Sequence, residues 1–306
     1  MDENVNAPVS FRPMGKRRGK RKYKILETAL LMLFLGMMVF AIVAPFMWMV
    51  ISSISPQLEL TEVPPHWIPE EPTLARYKAL ISGPAQGQQV PVAAAKFIHS
   101  FKNSLVISTL TTLICLVAGS MAAYAFARLP MPGRQFFMVG TLAAQMVPVI
   151  VIIIPLYLLM QQLDLMDKVQ GLVLLYSGFM LPTVIWIMHS YFQTIPADLE
   201  EAAMIDGCSR LTALVRVIVP LSGPGLVAVA VFAFLSSWNE FFMALIFSAS
   251  KAKTITVIVT EFTTQFGVDY GLMTTGGVIG SIPPLILAFL LQRYIVKGLT
   301  AGAVKG

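Results

Sequence analysis

The stretch 191–222 holds most of the residues that are suited to a contact with another protein. It reads YFQTIPADLEEAAMIDGCSRLTALVRVIVPLS, with acids directly after Pro196. Proline and acids favour the first turn of a helix, and Gly207 favours the point where that helix stops. Ser209 can cap a second short helix. The pattern therefore predicts two short helices joined at a glycine.

The chemistry open to this stretch is recognition rather than catalysis. The carboxylates of Glu201 and Asp206 could pair with basic groups on a partner, while Ala202 and Ala203 would let another surface approach closely. Gly207 would provide a bend between the two helices. An ordinary amphipathic connector has the same pattern, so the residues by themselves leave docking and simple connection equally open.

Four polar residues in the predicted membrane spans are candidates for a translocation pathway. Glu240 is the only acid near the middle of a predicted span, and Asn239 stands beside it. An acid at membrane depth is costly and usually faces a cavity or a partner. Gln145 and Ser236 are the other two candidates, although each could instead form a hydrogen bond between helices. If the span ends before Trp238, Glu240 lies at the outer interface.

The sequence contains no motif for ATP phosphates, for a catalytic nucleophile or for a metal ion. It has no GxxxxGK[ST] loop, no GxSxG and no HExxH, and its three histidines are far apart. We therefore expect no catalytic residue, no metal and no cofactor bound by this chain. Energy for any transport would come from a partner or from an ion gradient.

The composition places these residues in a membrane protein. Of 306 residues, 56% are hydrophobic and only 12% are charged, about half the charged share of a soluble domain. A helix needs about 20 apolar residues to cross a bilayer, and the sequence predicts an all-α protein with six such helices. The predicted spans are 26–51, 104–127, 136–160, 171–190, 223–247 and 275–296.

The basic residues predict that both termini lie in the cytoplasm. Residues 1–25 hold eight of the 22 Lys and Arg, and a positive flank holds that end of a helix inside. Nucleic-acid binding is the less favoured interpretation of this tail, and we expect none. The predicted layout is a basic cytoplasmic tail (1–25), a transmembrane domain (26–296) with an external loop (about 52–100) and a cytoplasmic loop (191–222), and a cytoplasmic C-terminal tail (297–306).

The stretch 191–222 resembles the EAA loop of ATP-binding-cassette importer permeases. That pattern has Glu-Ala-Ala, three residues, Gly, nine residues and an aliphatic-x-aliphatic-Pro close. Here it falls on Glu201, Ala202, Ala203, Gly207 and 217–220, and Asp206 matches the common form. Cys208 and Leu214 depart from the commoner Ala and aromatic residue. The segments 103–105, 122–128, 238–241 and 292–306 are similar to the carbohydrate-uptake branch, which includes the maltose-type permeases.

This resemblance implies a type I importer permease fold and a defined set of partners. Two homologous permease subunits would form the pore, an extracytoplasmic binding protein would deliver a carbohydrate, and a cytoplasmic ATPase dimer would hydrolyse ATP with Mg²⁺. The EAA loop, with Glu201, Ala202, Ala203, Asp206 and Gly207, would dock on one ATPase subunit and switch the pore between its two orientations. The implied location is a bacterial or archaeal cytoplasmic membrane, where the spans contact lipid.

A secondary transporter driven by an ion gradient is the alternative. That class would carry several intramembrane acids or a pair of broken helices at matching positions in two halves. Glu240 is the single candidate acid, and no internal duplication is evident. The importer interpretation is therefore favoured. The resemblance also implies that the external loop 248–274 can contact the binding protein.

Overall fold

The structure is a computed structural model that describes residues 18–64, 66–83, 91–264 and 267–301. The described residues are mostly helical, with one two-stranded antiparallel hairpin that pairs Thr263 with Val268. The elements are α1 (Arg18–Ile54), α2 (Ala75–Ser82), α3 (Val92–Arg128), α4 (Arg134–Gln145), α5 (Val149–Gln162), α6 (Val169–Thr194), α7 (Ala197–Ile205), α8 (Arg210–Ala213), a π-helical turn (Leu214–Ile218), α9 (Val219–Leu221), α10 (Gly223–Trp238), α11 (Phe242–Phe247), α12 (Ile255–Thr260), β1 (Thr263–Thr264), β2 (Gly267–Val268) and α13 (Tyr270–Ala301).

The chain forms two units, which divide within α1 after Met49. The first unit contributes most of α1, whose apolar side chains are exposed along its length; Phe40, for example, is 73% exposed. An apolar helix of this length is suited to hydrocarbon. The second unit, from Val50 onward, contains the remaining elements.

Four helices in the described part of the chain are long and apolar enough to cross a membrane without a break. They are Lys24–Ile54, Val92–Arg128, Val169–Thr194 and Tyr270–Arg293. Two bent helix pairs raise the number to six if each pair counts as one span: α4 with α5, bent by 94°, and Arg210–Leu221 with α10, bent by 84°. The predicted all-α membrane fold is confirmed, while the count of six spans and the cytoplasmic termini stay predictions.

Part of the predicted external loop is helical, while its boundary at about residue 100 stays a prediction. Helix α3 begins at Val92, directly after Pro91, so 92–100 are helical. The cause is tertiary packing, because Ala94 and Phe97 are almost fully buried in a cluster with Phe262. Burial of this face stabilises helical turns that extend beyond the apolar run.

The predicted spans 136–160 and 223–247 are each interrupted. The first breaks between α4 and α5, where Pro148 stands at the N-cap of α5; proline cannot donate a helical hydrogen bond and clashes with the preceding turn. The second ends at Trp238, and α11 starts anew at Phe242. Glu240 explains this second break, because its carboxylate accepts from the backbone N–H groups at the start of α11.

The core of the second unit lies mainly between α3 and α6. Ile107, Tyr176, Met188 and Phe192 are fully buried there. Gly119 makes the close approach possible, since a Cβ at this position would lie 2.4 Å from Cγ1 of Val184. Small residues at helix contacts are typical of packing within membranes. The packing of α3 on α6 therefore fixes the ends from which the connecting loops depart.

Candidate functional site

The connector between α6 and α10 has the predicted helix–glycine–helix form. Helix α7 ends at Ile205, and Gly207 follows with a φ of +90°. The N–H of Cys208 donates to the carbonyl of Ala203 at 3.0 Å, and the N–H of Gly207 donates to that of Met204 at 3.1 Å. These two bonds form a Schellman motif, in which a left-handed glycine closes the helix. The predicted stop at Gly207 is confirmed.

The second short helix begins at the predicted cap. The N–H of Thr212 donates to the hydroxyl of Ser209 at 3.2 Å, which satisfies one free donor of the helix start. The chain then continues through the π-helical turn to Pro220 and Ser222. Leu214 and Ile218 are buried and anchor this segment to the main core.

The predicted contact residues lie at the surface of the connector. Glu201, Ala202, Asp206 and Gly207 are exposed, and Ala203 is half-buried. They are accompanied by apolar side chains that are also exposed: Ile205 by 86%, Leu211 by 59% and Val215 by 59%. Glu201 and Ile205 are four residues apart on α7 and share one face. The connector thus presents a mixed acidic and apolar surface, called here the α7 face (201, 202, 205, 206, 211 and 215).

Glu200, which the sequence analysis did not single out, points the other way. It is only 4% exposed. Its Oε2 forms an ion pair with Nε of Arg128 at 3.3 Å, and its Oε1 accepts a short hydrogen bond from the hydroxyl of Tyr124. Tyr124 and Arg128 are one turn apart at the end of α3, so α7 is tied to the last turn of that helix.

Arg128 also reaches the end of α6. Its Nη2 donates to the carbonyl of Phe192 at 3.0 Å and to that of Ile195 at 2.5 Å. These carbonyls lie at the C-terminal end of α6, where carbonyls lack their usual i+4 helical partners; that of Phe192 also accepts from the N–H of Ile195 at 3.3 Å. One guanidinium therefore joins α3, α6 and α7. We call Tyr124, Arg128 and Glu200 the Glu200 joint.

Gln145 lies at the contact between α4 and α6. Its amide donates to the hydroxyl of Thr183 at 2.7 Å and to the carbonyl of Phe179 at 3.2 Å. It also borders a cavity of about 410 Å³ whose other lining residues are mainly apolar, among them Leu156 and Leu174. The hydrogen bond between helices, the alternative considered from the sequence, is thus present. A pathway role for Gln145 stays a prediction.

The other three pathway candidates lie at the end of α10, not with Gln145 on α4. Ser236 is half-buried in the last turn, and the amide of Asn239 donates to the carbonyl of Leu235 at 2.9 Å. Glu240 accepts from the N–H groups of Met243 at 2.9 Å and Ala244 at 3.0 Å. Helix α10 ends at Trp238, and Asn239 is its C-cap. Glu240 therefore has a structural role at the start of α11, and its pathway role stays a prediction.

A second carboxylate that the sequence analysis missed lies at the opposite end of α6. The Oδ1 of Asp167 accepts from the backbone N–H groups of Ala249, Ser250, Lys251 and Ala252, at 2.9 to 3.1 Å. Partial burial would raise the pKa of Asp167, but these donors outweigh it and lower the pKa from 3.8 to about 2. We call Asp167 and 249–252 the Asp167 nest.

The same loop is held from its other side by α3. The amide of Asn103 donates to the carbonyls of Lys251 at 2.7 Å and Lys253 at 3.0 Å, and Ser104 accepts from the N–H of Ile255 at 2.8 Å. Since α6 has 26 residues, this loop and the α7 face are about 39 Å apart along the helix axis. Within the described residues, no group of three His, Cys, Asp or Glu is arranged to hold a metal ion.

Comparison with known proteins decides which family this architecture represents. Residues 115–301 match the family described as binding-protein-dependent transport system inner membrane component. The chain belongs to this family. It is a permease subunit of an ATP-binding-cassette importer and a multi-pass inner-membrane protein, as the EAA pattern predicted. Family membership also decides against the secondary transporter.

Its relatives include several permeases of named transport systems. The chain is 34% identical to the sulfoquinovosyl glycerol transport system permease of Agrobacterium fabrum, over 86% of this chain and 88% of the relative. It is 35% identical to the trehalose/maltose transport system permease of Thermococcus litoralis, over 90% and 97% of the two chains. It is 36% identical to the trehalose transport system permease of Mycobacterium tuberculosis, over 86% and 92%.

Solved structures confirm the fold. A chain of a bacterial ABC transporter involved in the import of alginate superposes with a TM-score of 0.72 at 22% identity. The superposition covers 92% of this permease and 99% of that chain. The fold is therefore shared over most of the chain.

Proposed function

We propose that this permease imports a carbohydrate and is driven by a cytoplasmic ATPase that docks on the α7 face. The three relatives named above belong to transport systems for sugars or glycosides, which supports a carbohydrate cargo. The observation that carries the docking proposal is the exposure of Glu201 and Ala202 beside Ile205, which is 86% exposed. A surface that combines exposed apolar groups with charges is typical of a protein interface.

Different side chains of the α7 face would make different kinds of contact with the ATPase. Glu201 and Asp206 offer carboxylates to basic groups of the ATPase. Ala202 lets the partner backbone come close, and Ile205 and Leu211 supply the apolar area. The Schellman motif at Gly207 fixes the angle between α7 and α8, so that both helices can lie in one cleft.

The chain itself is a non-catalytic pore subunit in this proposal. Its sequence has no phosphate-binding loop, so ATP and Mg²⁺ are bound and hydrolysed by the partner ATPase. A second homologous permease completes the pore, and the loop 191–222 faces the cytoplasm. The energy of hydrolysis reaches the pore as movement of α7.

The opposite end of the second unit receives the cargo from an extracytoplasmic binding protein. The hairpin β1–β2 is fixed there by Gln57, whose amide donates to the carbonyl of Val268 at 3.1 Å. Arg76 donates to the carbonyl of Ser55 at 2.5 Å and lies over Gly271. We propose that the binding protein contacts this end of the loop 248–274. Gln145, Ser236, Asn239 and Glu240 are the proposed pathway residues.

The docking proposal is tested with Glu201→Lys in the complex reconstituted with its partner permease, ATPase and binding protein. We expect the complex to dissociate during size-exclusion chromatography and its ATP hydrolysis to fall about tenfold. Glu71→Lys is the matched control, because it makes the same charge change at an exposed position of the segment between α1 and α2. Normal assembly and hydrolysis of Glu201→Lys would refute docking through this face.

The cargo is tested by uptake of radiolabelled trehalose and maltose into the same vesicles. We expect ATP-dependent uptake of at least one of them, or competition by a related glycoside. Uptake that continues without the ATPase would refute the ATP-driven mechanism, and an inability of any sugar or glycoside to be taken up or to compete would refute a carbohydrate cargo.

A further inference from the structure

The Glu200 joint connects the proposed docking helix to the ends of α3 and α6 through an ion pair and hydrogen bonds. Glu200 and Glu201 are adjacent in sequence, yet their environments are opposite. The side chain of Glu200 is 5% exposed and that of Arg128 is 13% exposed, whereas Glu201 is exposed. The neighbouring acids thus serve two surfaces of one helix, one toward solvent and one toward the ends of α3 and α6.

Burial makes this connection stiff. Separating a buried ion pair leaves a charge without a partner in a poorly solvated environment, which is strongly unfavourable. Arg128 would in addition give up two carbonyls at the end of α6. Helix α7 therefore cannot move away from α3 and α6 without leaving the Glu200 carboxylate and the Arg128 guanidinium buried and unpaired.

We propose that Glu200 is a positioning residue that transmits movement of α7 to α3 and α6. This rests on the proposed function, because it takes docking on the α7 face as the source of the movement. Glu201 makes the contact with the ATPase, and Glu200, through Arg128 and Tyr124, carries the displacement into the bundle. Of the two adjacent acids, Glu201 therefore binds the ATPase and Glu200 couples α7 to α3 and α6.

The test measures whether α7 and α3 move as one body. Spin labels are attached at Ala197→Cys on α7 and Pro130→Cys just after α3, both exposed positions. Cys208→Ser removes the half-buried thiol, while Cys115 is buried. Distances between labels are recorded in the full complex, with and without trapping by ATP and vanadate. The variants are Glu200→Gln and the milder Tyr124→Phe, and the control is Asp198→Asn.

The wild type and Asp198→Asn are expected to keep one distance in both states. Glu200→Gln is expected to retain ATPase binding. In the trapped state, the fraction of complexes whose distance between labels differs from the wild-type distance should rise about tenfold. Tyr124→Phe, which keeps the ion pair, is expected to give a smaller increase with full assembly.

Other results overturn the proposal. If Glu200→Gln and Tyr124→Phe both keep the wild-type distance between labels in the trapped state, with ATP hydrolysis intact, then packing alone transmits the movement. Equal loss of assembly and thermal stability in both variants, without displaced distances in the complexes that remain, would assign the joint a purely structural role. A wild type that binds no ATPase would instead refute the proposed function itself.

Discussion

The two ends of α6 each hold a carboxylate, but they hold it by different means. Near the C-terminal end, Glu200 is bound by the side chains of Arg128 and Tyr124. Before the N-terminal end, Asp167 is bound by four backbone N–H groups of 249–252. One contact joins three helices through a single charged side chain, and the other fixes a loop through its main chain.

The difference indicates which end is built to transmit force. A charge pair between helices requires its elements to move together, since its separation is costly. Backbone N–H groups of consecutive residues form a concave anion site that orders the loop itself. The Glu200 joint therefore suits a moving contact, and the Asp167 nest suits a fixed surface. The following variants sharpen this contrast.

Arg128→Ala is expected to have the largest effect on stability. It leaves Glu200 buried without its ion pair and removes the two hydrogen bonds that Arg128 donates to carbonyls at the end of α6, which costs about 3–5 kcal/mol in the free energy of unfolding. Thermal unfolding of the purified complex in detergent measures the loss. Arg216→Ala changes the same residue type at an exposed site of the connector and should unfold at the wild-type temperature.

Asp167→Asn is expected to have an intermediate effect. The amide offers one acceptor where the carboxylate offers two, and its NH₂ group faces backbone donors. With its partial exposure allowed for, the loss is about 1–2 kcal/mol. Asp164→Asn is a close control, because both residues have a φ of +53° while Asp164 pairs only with exposed Lys168. Equal unfolding temperatures for Asp167→Asn and Asp164→Asn would contradict a stabilising role of the Asp167 nest.

The Asp167 nest also predicts a dependence on pH. Since the pKa of Asp167 is lowered from 3.8 to about 2, its contribution to stability is fully present above pH 3.8. It is lost as the pH falls toward 2, because the folded state must then take up a proton that the unfolded state already binds. The difference in unfolding temperature between wild type and Asp167→Asn should therefore shrink between pH 5 and pH 2.5. A constant difference would contradict this.

Gly207→Ala is expected to have the smallest effect, about 1 kcal/mol, from strain at a φ of +90°. No atom lies within 4 Å of the added Cβ, so the loss reflects backbone strain rather than a clash. Hydrogen exchange should report weaker protection in α7 and α8 and unchanged protection in 249–252. Weaker protection in 249–252 as well as in α7 and α8 would contradict the view that the two ends of α6 are held independently.

The sequence predicted the connector well because its signals are local. The stop at Gly207 and the cap at Ser209 depend on residues within one helical turn, and the apolar runs that form the spans are continuous. The break at Pro148 also has a local cause, because proline cannot donate a helical hydrogen bond to the preceding turn. The start of α3 at Val92 was missed, since burial of Phe97 against distant elements extends that helix.

The buried contacts of Asp167 and Glu200 could not be predicted from local sequence patterns. Asp167 is bound by residues 82 to 85 positions later in the chain, and Glu200 by residues 72 to 76 positions earlier. Nothing in the pair Glu200–Glu201 indicates which acid is buried. The one available signal was Tyr124 and Arg128, one turn apart at the end of a span, where a charge commonly seeks a partner.

Photo-cross-linking from the α7 face tests the central claim most directly. A benzophenone is attached at Ala202→Cys, in a Cys208→Ser background, and the complete complex is illuminated. We predict capture of the ATPase from this position and no capture of it from Lys251→Cys in the loop at the other end of α6. Capture of the ATPase from Lys251→Cys, or none from Ala202→Cys in an assembled complex, would contradict the account.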